Sequence, residues 1–279
     1  MSTQTPEIIA ENNLSYAWGR AFLAVMRRPA HTLSPLTISI NGLSDGRPAE
    51  DSAVRNELDA SLCTNDKYSS AISAATIFPA RQWWKADATS RKAMYDWFLE
   101  KMLPRLRRRN VRNQYGTYFE RMIAFHGVKC HGERVEYATV NQLERLITDW
   151  NRPRQHRKRP RHSALQIACF DPAKDLTGQS VRGFPCLQQV SLAYDDQNGL
   201  ALSAYYPTQY IYDRAYGNYL GLCHLGRFLA EAMGLQFVRF NCFVAHPELG
   251  DINKTALRSL EVVVETAMAG PKAAQGASL

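Results

Sequence analysis

The stretch Leu187-Gln-Gln-Val-Ser-Leu-Ala-Tyr-Asp-Asp-Gln-Asn-Gly-Leu-Ala-Leu-Ser-Ala-Tyr-Tyr206 carries the strongest local fold signal in this chain. Two largely apolar runs, Leu187–Tyr194 and Leu200–Tyr206, flank a polar segment that ends in Asn198-Gly199. Asn-Gly between two such runs is typical of a β-hairpin, because both residues tolerate a positive φ. The stretch therefore predicts two antiparallel strands.

A long helix is predicted downstream, over Asn218–Met233. Its apolar residues recur every three or four positions, and Gly234 suits the left-handed residue that ends many helices. Similar patterns predict helices over Leu14–Met26, Ser52–Leu62, Ser90–Leu103 and Asn141–Trp150, and strands over Leu36–Asn41 and Ser163–Phe170. This mixture predicts an α/β (α+β) fold in one domain over residues 1–268, with a disordered tail over residues 269–279.

Composition restricts the class of protein. The 279 residues are 45% hydrophobic, enough for a core that needs neither disulfides nor a metal. The apolar runs are much shorter than a membrane span, and the first residues do not resemble a secretory signal. The six cysteines are scattered without a CxxC pair, which argues against a zinc site or a disulfide framework. We therefore expect a soluble cytoplasmic protein that has no membrane partner.

Basic residues are concentrated in two runs, Leu103–Asn110 and Arg152–His162, and the formal net charge is +8. A basic balance favours anionic partners, such as phosphates or nucleic acid. A solvated surface loop would explain the first run equally well, and the sequence leaves both interpretations open.

Several motifs, taken in order, resemble the thymidylate synthase family. Gly183-Phe-Pro-Cys-Leu-Gln-Gln189 resembles the family's nucleophile segment, and it is followed by the hairpin, by Tyr216-Gly-Asn218 and by a helix. Upstream, Phe170-Asp-Pro172 and Tyr115-Gly-Thr-Tyr-Phe-Glu-Arg121 resemble the family's Trp-Asn-Pro and Tyr-Gly segments, so that the resemblance covers roughly residues 113–250. It implies the thymidylate synthase fold, a large bent mixed sheet with flanking helices, and a homodimer formed by sheets packed back to back.

The resemblance also implies a chemistry for two residues. The Cys186 thiolate would add to C6 of a pyrimidine, so that C5 attacks a one-carbon unit carried by methylene-tetrahydrofolate. Asn218 would pair with the imide edge of a uracil-type base. The plainer alternatives are a buried structural cysteine and a helix N-cap asparagine.

Positive charge near Cys186 would favour its thiolate, and Arg182, Arg161 and His162 are the candidates in the sequence. The family's phosphate-binding arginine is replaced here, since Tyr206-Pro-Thr208 occupies the matching stretch. The resemblance places a cross-subunit arginine pair in the second basic run. We therefore expect Arg159 and Arg161 to bind the phosphate of a substrate held by the partner subunit. Arg182 is a further candidate for holding the substrate phosphate.

Three more residues are candidates for the site. Glu57 is the best match for the family's catalytic glutamate, although an ordinary helix-surface glutamate fits equally well. Gln189 and His246 are candidate substrate-binding residues. Two functions follow from the whole pattern. One is transfer of a methyl or hydroxymethyl group to C5 of a non-standard pyrimidine nucleotide, and the other is non-catalytic nucleotide sensing or nucleic-acid binding.

Overall fold

The computed structural model describes residues 5–28, 30–84, 90–109, 111–152, 159–178 and 186–269. The first third of the chain contains strands β1 (Glu7–Glu11), β2 (Leu36–Ile40), β3 (Leu43–Ser44) and β4 (Arg47–Pro48), and helices α1 (Leu14–Arg27), α2 (Ser52–Thr64), α3 (Ser70–Ala75), α4 (Ala80–Trp84) and α5 (Arg91–Trp97). A π-helical segment, Phe98–Met102, joins α5 to α6 (Leu103–Arg109).

The middle third begins with a 3-10 turn, Val111–Tyr115. It then contains α7 (Tyr118–Ile123), the hairpin β5 (Phe125–His131) and β6 (Arg134–Val140), α8 (Gln142–Asn151), β7 (Gln166–Ala168) and α9 (Pro172–Asp175). The last third contains β8 (Gln189–Tyr194), β9 (Gly199–Tyr210), a π-helical turn (Ile211–Ala215), α10 (Tyr216–Met233), β10 (Gln236–Glu248) and α11 (Arg258–Ala269). The predicted tail lies outside the described residues, apart from Ala269.

A six-stranded mixed sheet organises the molecule, in the order β1-β2-β10-β9-β8-β7. The pairs β1–β2 and β9–β10 are parallel, and the other neighbours are antiparallel. Helices α1 and α10 pack on the sheet, and α11 packs on α1 and α2. The chain therefore has a mixed α/β fold, which confirms the fold class predicted from its sequence at this level.

The hairpin and the long helix are confirmed. Strands β8 and β9 pair in an antiparallel register in which Gln189 faces Tyr205. Helix α10 ends at Gly234, whose φ of 66° is left-handed. Gly217 lets α3 approach closely, because a Cβ there would lie 2.7 Å from the backbone oxygen of Ser70. The helix that follows β9 is thus held at a defined position above the sheet.

Other predicted elements differ in extent. The helix predicted over Ser90–Leu103 continues to Arg109 through the π-helical segment. The strand predicted over Ser163–Phe170 is shorter, because a 3-10 turn occupies His162–Ala164. Strand β10 and helix α11 were not predicted, and β10 contains a register shift that interrupts its alternation.

The two faces of the sheet differ in burial. On the face toward the helices, Leu202 and Phe240 are fully buried. On the other face, Tyr205 and Phe243 are 40% and 42% exposed and stack with their ring centroids 5.9 Å apart. Within the described part of the chain, no helix covers this second face, on which the two rings lie beside a polar row that includes Ser203 and Asn241.

Buried cysteines were expected from the apolar surroundings of Cys169, Cys223 and Cys242. All three are buried free thiols, which confirms that interpretation. Among the described helices, none combines the length and the apolar character that a membrane crossing requires.

Candidate active site

Three strand ends bring the candidate residues together. Cys186 lies three residues before β8, whose first residue, Gln189, faces Tyr205 of β9. At the end of β9, Thr208 faces His246 of β10. Leu187 is fully buried, whereas Cys186 and His246 are exposed. This end of the sheet is therefore the candidate site.

Cys186 lies between opposite charges at this sheet end. The residue is exposed at its surface, yet the surrounding protein still removes much of the water from its thiol. This desolvation raises the pKa of Cys186, the Arg214 guanidinium opposes the rise, and the Glu248 carboxylate adds to it. The free protein therefore holds Cys186 mainly as a thiol, and added positive charge would be needed to favour the thiolate.

Tyr118, the first residue of α7, contacts the same segment. The backbone N–H of Leu187, next to Cys186, lies near the Tyr118 hydroxyl and lowers the pKa of Tyr118. Burial raises the pKa of Tyr118, and the neighbouring Cys186 raises it further. A protonated phenol beside the sulfur is a hydrogen-bond donor that can serve a ligand or the thiolate.

Asn218 does not cap a helix. Helix α10 begins two residues earlier, at Tyr216, and Ala215 precedes it, so the N-cap alternative is wrong. Asn218 is only 4% exposed, and its side chain makes no hydrogen bond to another described residue. A buried carboxamide that bonds to no other described side chain or backbone group can offer its donors and its acceptor to a ligand.

Arg214 and Asp213 occupy the π-helical turn between β9 and α10. The Nε atom of Arg214 lies 3.6 Å from Oδ2 of Asp213, and the Arg214 side chain is 42% exposed. Burial raises the pKa of Asp213, while Arg214 and Lys67 oppose this rise. Oδ1 of Asp213 has no hydrogen-bond partner among the described residues.

Two further buried polar atoms in β9 lack partners within the described chain. They are the hydroxyl of Tyr206 and Nε2 of Gln209. Gln209 is 2% exposed, and its Oε1 accepts a hydrogen bond of 2.9 Å from the Tyr219 hydroxyl. Unsatisfied buried polar atoms are uncommon in folded proteins. Their concentration from Tyr206 to Asp213 indicates that this segment binds something polar.

The other predicted residues lie in different surroundings. Glu57 accepts a hydrogen bond of 2.7 Å from Ser259 at the interface of α2 and α11. Gln189 donates to Gln166, at 2.7 Å, on the exposed side of the sheet. The Nε2 atom of His246 lies 3.4 Å from Glu248, close to Cys186. Of these three, only His246 lies with the cysteine, and their proposed roles stay predictions.

The arginines of the second basic run lie elsewhere or outside the described residues. Arg159 bonds to Asn198 at 3.0 Å and lies 5.4 Å from each of the Trp150 and Tyr194 rings. Asn198 lies in the turn between β8 and β9, so Arg159 is separated from Cys186 by the length of β8, roughly 20 Å. Arg161 is exposed, and Arg182 lies outside the described residues. A phosphate role for Arg159 within one subunit is incompatible with this spacing, and the cross-subunit role of Arg159 and Arg161 stays a prediction.

A separate cavity of about 290 Å³ lies beside α7 and does not include Cys186 among its lining residues. Its charged lining is already paired, since Arg107 bonds to Glu120 and the buried Arg121 bonds to Asp175. The elements near Cys186 differ, because Tyr206, Gln209 and Asp213 each have a buried polar atom without a hydrogen-bond partner among the described residues. We therefore place the candidate site at Cys186.

The sequence analysis did not identify Arg214 or Tyr118 as site residues. Arg214 could have been found, because it lies four residues before Asn218 and next to an acidic residue at the start of the long helix. Tyr118 had no such signal, since nothing in the sequence shows that α7 lies against the segment before β8.

No protein-family model matches this sequence, and no curated protein shows significant similarity to it.

Proposed function

We propose that this protein is a thymidylate synthase-like transferase that adds a one-carbon unit to C5 of a pyrimidine nucleotide. One observation supports this proposal more strongly than the others. Cys186 and His246 lie at the same end of the sheet, and Asn218, whose side chain bonds to no other described residue, lies on the helix that follows this end. A nucleophile with free amide donors nearby is the arrangement that attack on a pyrimidine ring requires.

In this proposal the Cys186 thiolate forms a bond to C6 of the base. The electron pair of the C5–C6 double bond moves toward C5, and Asn218 binds the imide edge, where negative charge develops. C5 can then form a bond to the one-carbon unit, and the bond between that unit and its carrier breaks as a base removes the C5 proton. A hydride from the reduced carrier would complete a methyl group, and water would complete a hydroxymethyl group. The C5–C6 double bond re-forms as the Cys186 sulfur leaves.

Methylene-tetrahydrofolate would supply the one-carbon unit. The residues near Tyr210 fit a flat ring that carries N–H donors. Tyr210 is 44% exposed, and Oδ1 of Asp213 is free to accept a hydrogen bond. Gly250 keeps this place open, because a Cβ there would lie 3.2 Å from Oδ1 of Asp213. These three residues would hold the ring. We also propose that the protein has the thymidylate synthase fold and is cytoplasmic.

Covalent capture tests the proposed function directly. The protein is incubated with a uracil nucleotide fluorinated at C5, with and without methylene-tetrahydrofolate, and is analysed by mass spectrometry. We expect an adduct on Cys186 that is absent from Cys186→Ser. That variant should unfold within about 1 kcal/mol of the wild type, because the change is nearly isosteric and the position is exposed. The absence of any adduct on the folded wild type would contradict the proposal.

The non-catalytic alternative has one observation in its favour. Desolvation raises the pKa of Cys186, so the free protein does not present a ready thiolate. A protein that senses a pyrimidine nucleotide would bind the fluorinated nucleotide without forming an adduct. Equilibrium dialysis combined with mass spectrometry separates the two functions, since only the enzyme both binds the nucleotide and becomes covalently modified.

We also propose that the protein forms a homodimer through the exposed face of the sheet. The stacked Tyr205 and Phe243 lie at the centre of that face. Phe243→Arg should convert a dimer into a monomer in light scattering. Tyr137→Arg, at an 89% exposed position on the separate hairpin, should not. A wild-type monomer at micromolar concentration would contradict this assembly.

A further inference from the structure

Arg214 lies between β9 and α10, at the candidate site. It belongs to the turn that begins directly after β9, where Tyr210 pairs with Glu248 of β10. It acts electrostatically on both Cys186 and Tyr118, so its guanidinium lies near both side chains. No other cation acts on the Cys186 thiol within the described part of the chain.

The guanidinium of Arg214 retains its hydrogen-bonding capacity. Its contacts with described residues are a 3.6 Å approach to Asp213, which is too long for a hydrogen bond, and the Tyr68 ring, 5.5 Å away. Other arginines of the chain use their donors, as Arg91 does with two bonds of 2.8 Å to Glu144. An arginine whose N–H donors form no hydrogen bond to the described residues is suited to bind an oxyanion in bidentate geometry.

Tyr68 and Asp213 orient the Arg214 guanidinium without accepting a hydrogen bond from it. The Tyr68 ring supports one side of the guanidinium through a cation–π contact, which favours the planar group in one position. Asp213 lies on the Nε side, and the two terminal nitrogens have no hydrogen-bond partner in the part of the chain that the structure describes. An arginine held in this way loses little side-chain conformational entropy when an anion binds.

We propose that Arg214 binds the phosphate monoester of the pyrimidine nucleotide, in the same subunit as Cys186. This inference rests on the proposed function and identifies the substrate as a nucleotide rather than a nucleoside. It also supplies the cation that the stretch Tyr206–Thr208 lacks. Arg159 cannot take this role in the same subunit, because its guanidinium is engaged by Asn198 at the far end of the hairpin. The bound phosphate remains beside Arg214 while the base reaches Cys186.

Alkylation of Cys186 tests the position of the charge without a nucleotide. The rates of reaction with iodoacetate, which is anionic, and iodoacetamide, which is neutral, are measured at Cys186 by peptide mass spectrometry. We expect the iodoacetate-to-iodoacetamide rate ratio to fall about threefold to tenfold in Arg214→Gln. Arg214→Lys, which keeps the charge, should retain a ratio close to that of the wild type.

A matched variant and an internal reference control this measurement. Arg145→Gln removes an arginine that is 69% exposed on α8, and it should leave the ratio unchanged. The exposed Cys63 in the same samples reports any general unfolding. An unchanged ratio in Arg214→Gln would overturn the placement of Arg214 at the cysteine.

Binding measurements test the phosphate itself. Isothermal titration compares deoxyuridine monophosphate, deoxyuridine and inorganic phosphate. Arg214→Gln should weaken binding of the monophosphate by about tenfold to a hundredfold, while leaving that of the nucleoside within about twofold. Arg159→Ala should not change the monophosphate affinity of a monomeric variant such as Phe243→Arg.

The two sets of outcomes separate this inference from the proposed function. Monophosphate binding that does not depend on Arg214 would overturn the inference and leave the function standing. If neither pyrimidine compound binds, the proposed function fails. The alkylation ratio, together with protection of Cys186 by inorganic phosphate, then still decides whether Arg214 forms an anion site.

Discussion

Arg121 and Arg214 lie in neighbouring regions of the structure. They differ in how many hydrogen bonds their guanidinium groups donate to the described residues. Arg121 is 6% exposed and donates to the backbone oxygens of Cys169, at 2.7 Å, and Tyr115, and to both carboxylate oxygens of Asp175. Arg214 is 42% exposed on its side chain and has no hydrogen bond to another described residue. A fully bonded buried cation holds the fold together, whereas an open cation beside a nucleophile is available for a ligand.

The largest expected effect on stability comes from removing the guanidinium of Arg121. Arg121→Met should lower the free energy of unfolding by about 3–5 kcal/mol, because it leaves the buried Asp175 without its guanidinium. Urea denaturation followed by circular dichroism measures this loss. The double variant Arg121→Met/Asp175→Leu should recover much of it, since no buried charge then remains. A loss below about 1 kcal/mol in the single variant would show that Arg121 is not a structural cation.

An intermediate effect is expected at His224, a group on α10 that is buried but only partly satisfied. Burial, together with the positive charges of Arg227, Arg55 and Arg47, lowers the pKa of His224 from 6.5 to about 4. Its Nδ1 has no hydrogen-bond partner among the described residues. Between these two pKa values the unfolded chain binds a proton that the folded protein does not bind.

The free energy of unfolding should therefore fall by about 1–3 kcal/mol as the pH falls from 6.5 to 4. Urea denaturation across this range measures the fall. His224→Gln should flatten the profile, while His126→Gln, at an exposed position, should not. An equally steep profile in His224→Gln would assign the acid sensitivity to other groups.

The smallest expected effect on stability is at the open arginine. Arg214→Gln should change the free energy of unfolding by no more than about 0.5 kcal/mol, because the lost ion pair is half exposed and long. The same variant should raise the pKa of Cys186, since the opposing positive charge is removed. The pH dependence of the iodoacetamide rate measures that shift. A large loss of stability would make Arg214 a second structural cation and would remove the contrast with Arg121.

Local patterns predicted some elements well and others not at all. The hairpin and α10 were found because an Asn-Gly turn and an apolar stripe act within a few residues. Strand β10 was missed because the register shift between Phe237 and Arg239 breaks its alternation of buried and exposed residues. The strand predicted from Ser163 was too long, because its first residues form a 3-10 turn.

The sequence by itself determined the chemical character of this protein: a cysteine before a hairpin, an asparagine on a long helix and an excess of basic charge. These are local properties, and one chain is enough to read them. Only the tertiary structure decided which residues act together. The pairing of β8, β9 and β10 brings Cys186, His246 and Glu248 to one sheet end, and the turn after β9 adds Arg214. Electrostatic and hydrogen-bonding interactions depend on distances in space. These distances are fixed only when the sheet forms, so they cannot be derived from the sequence.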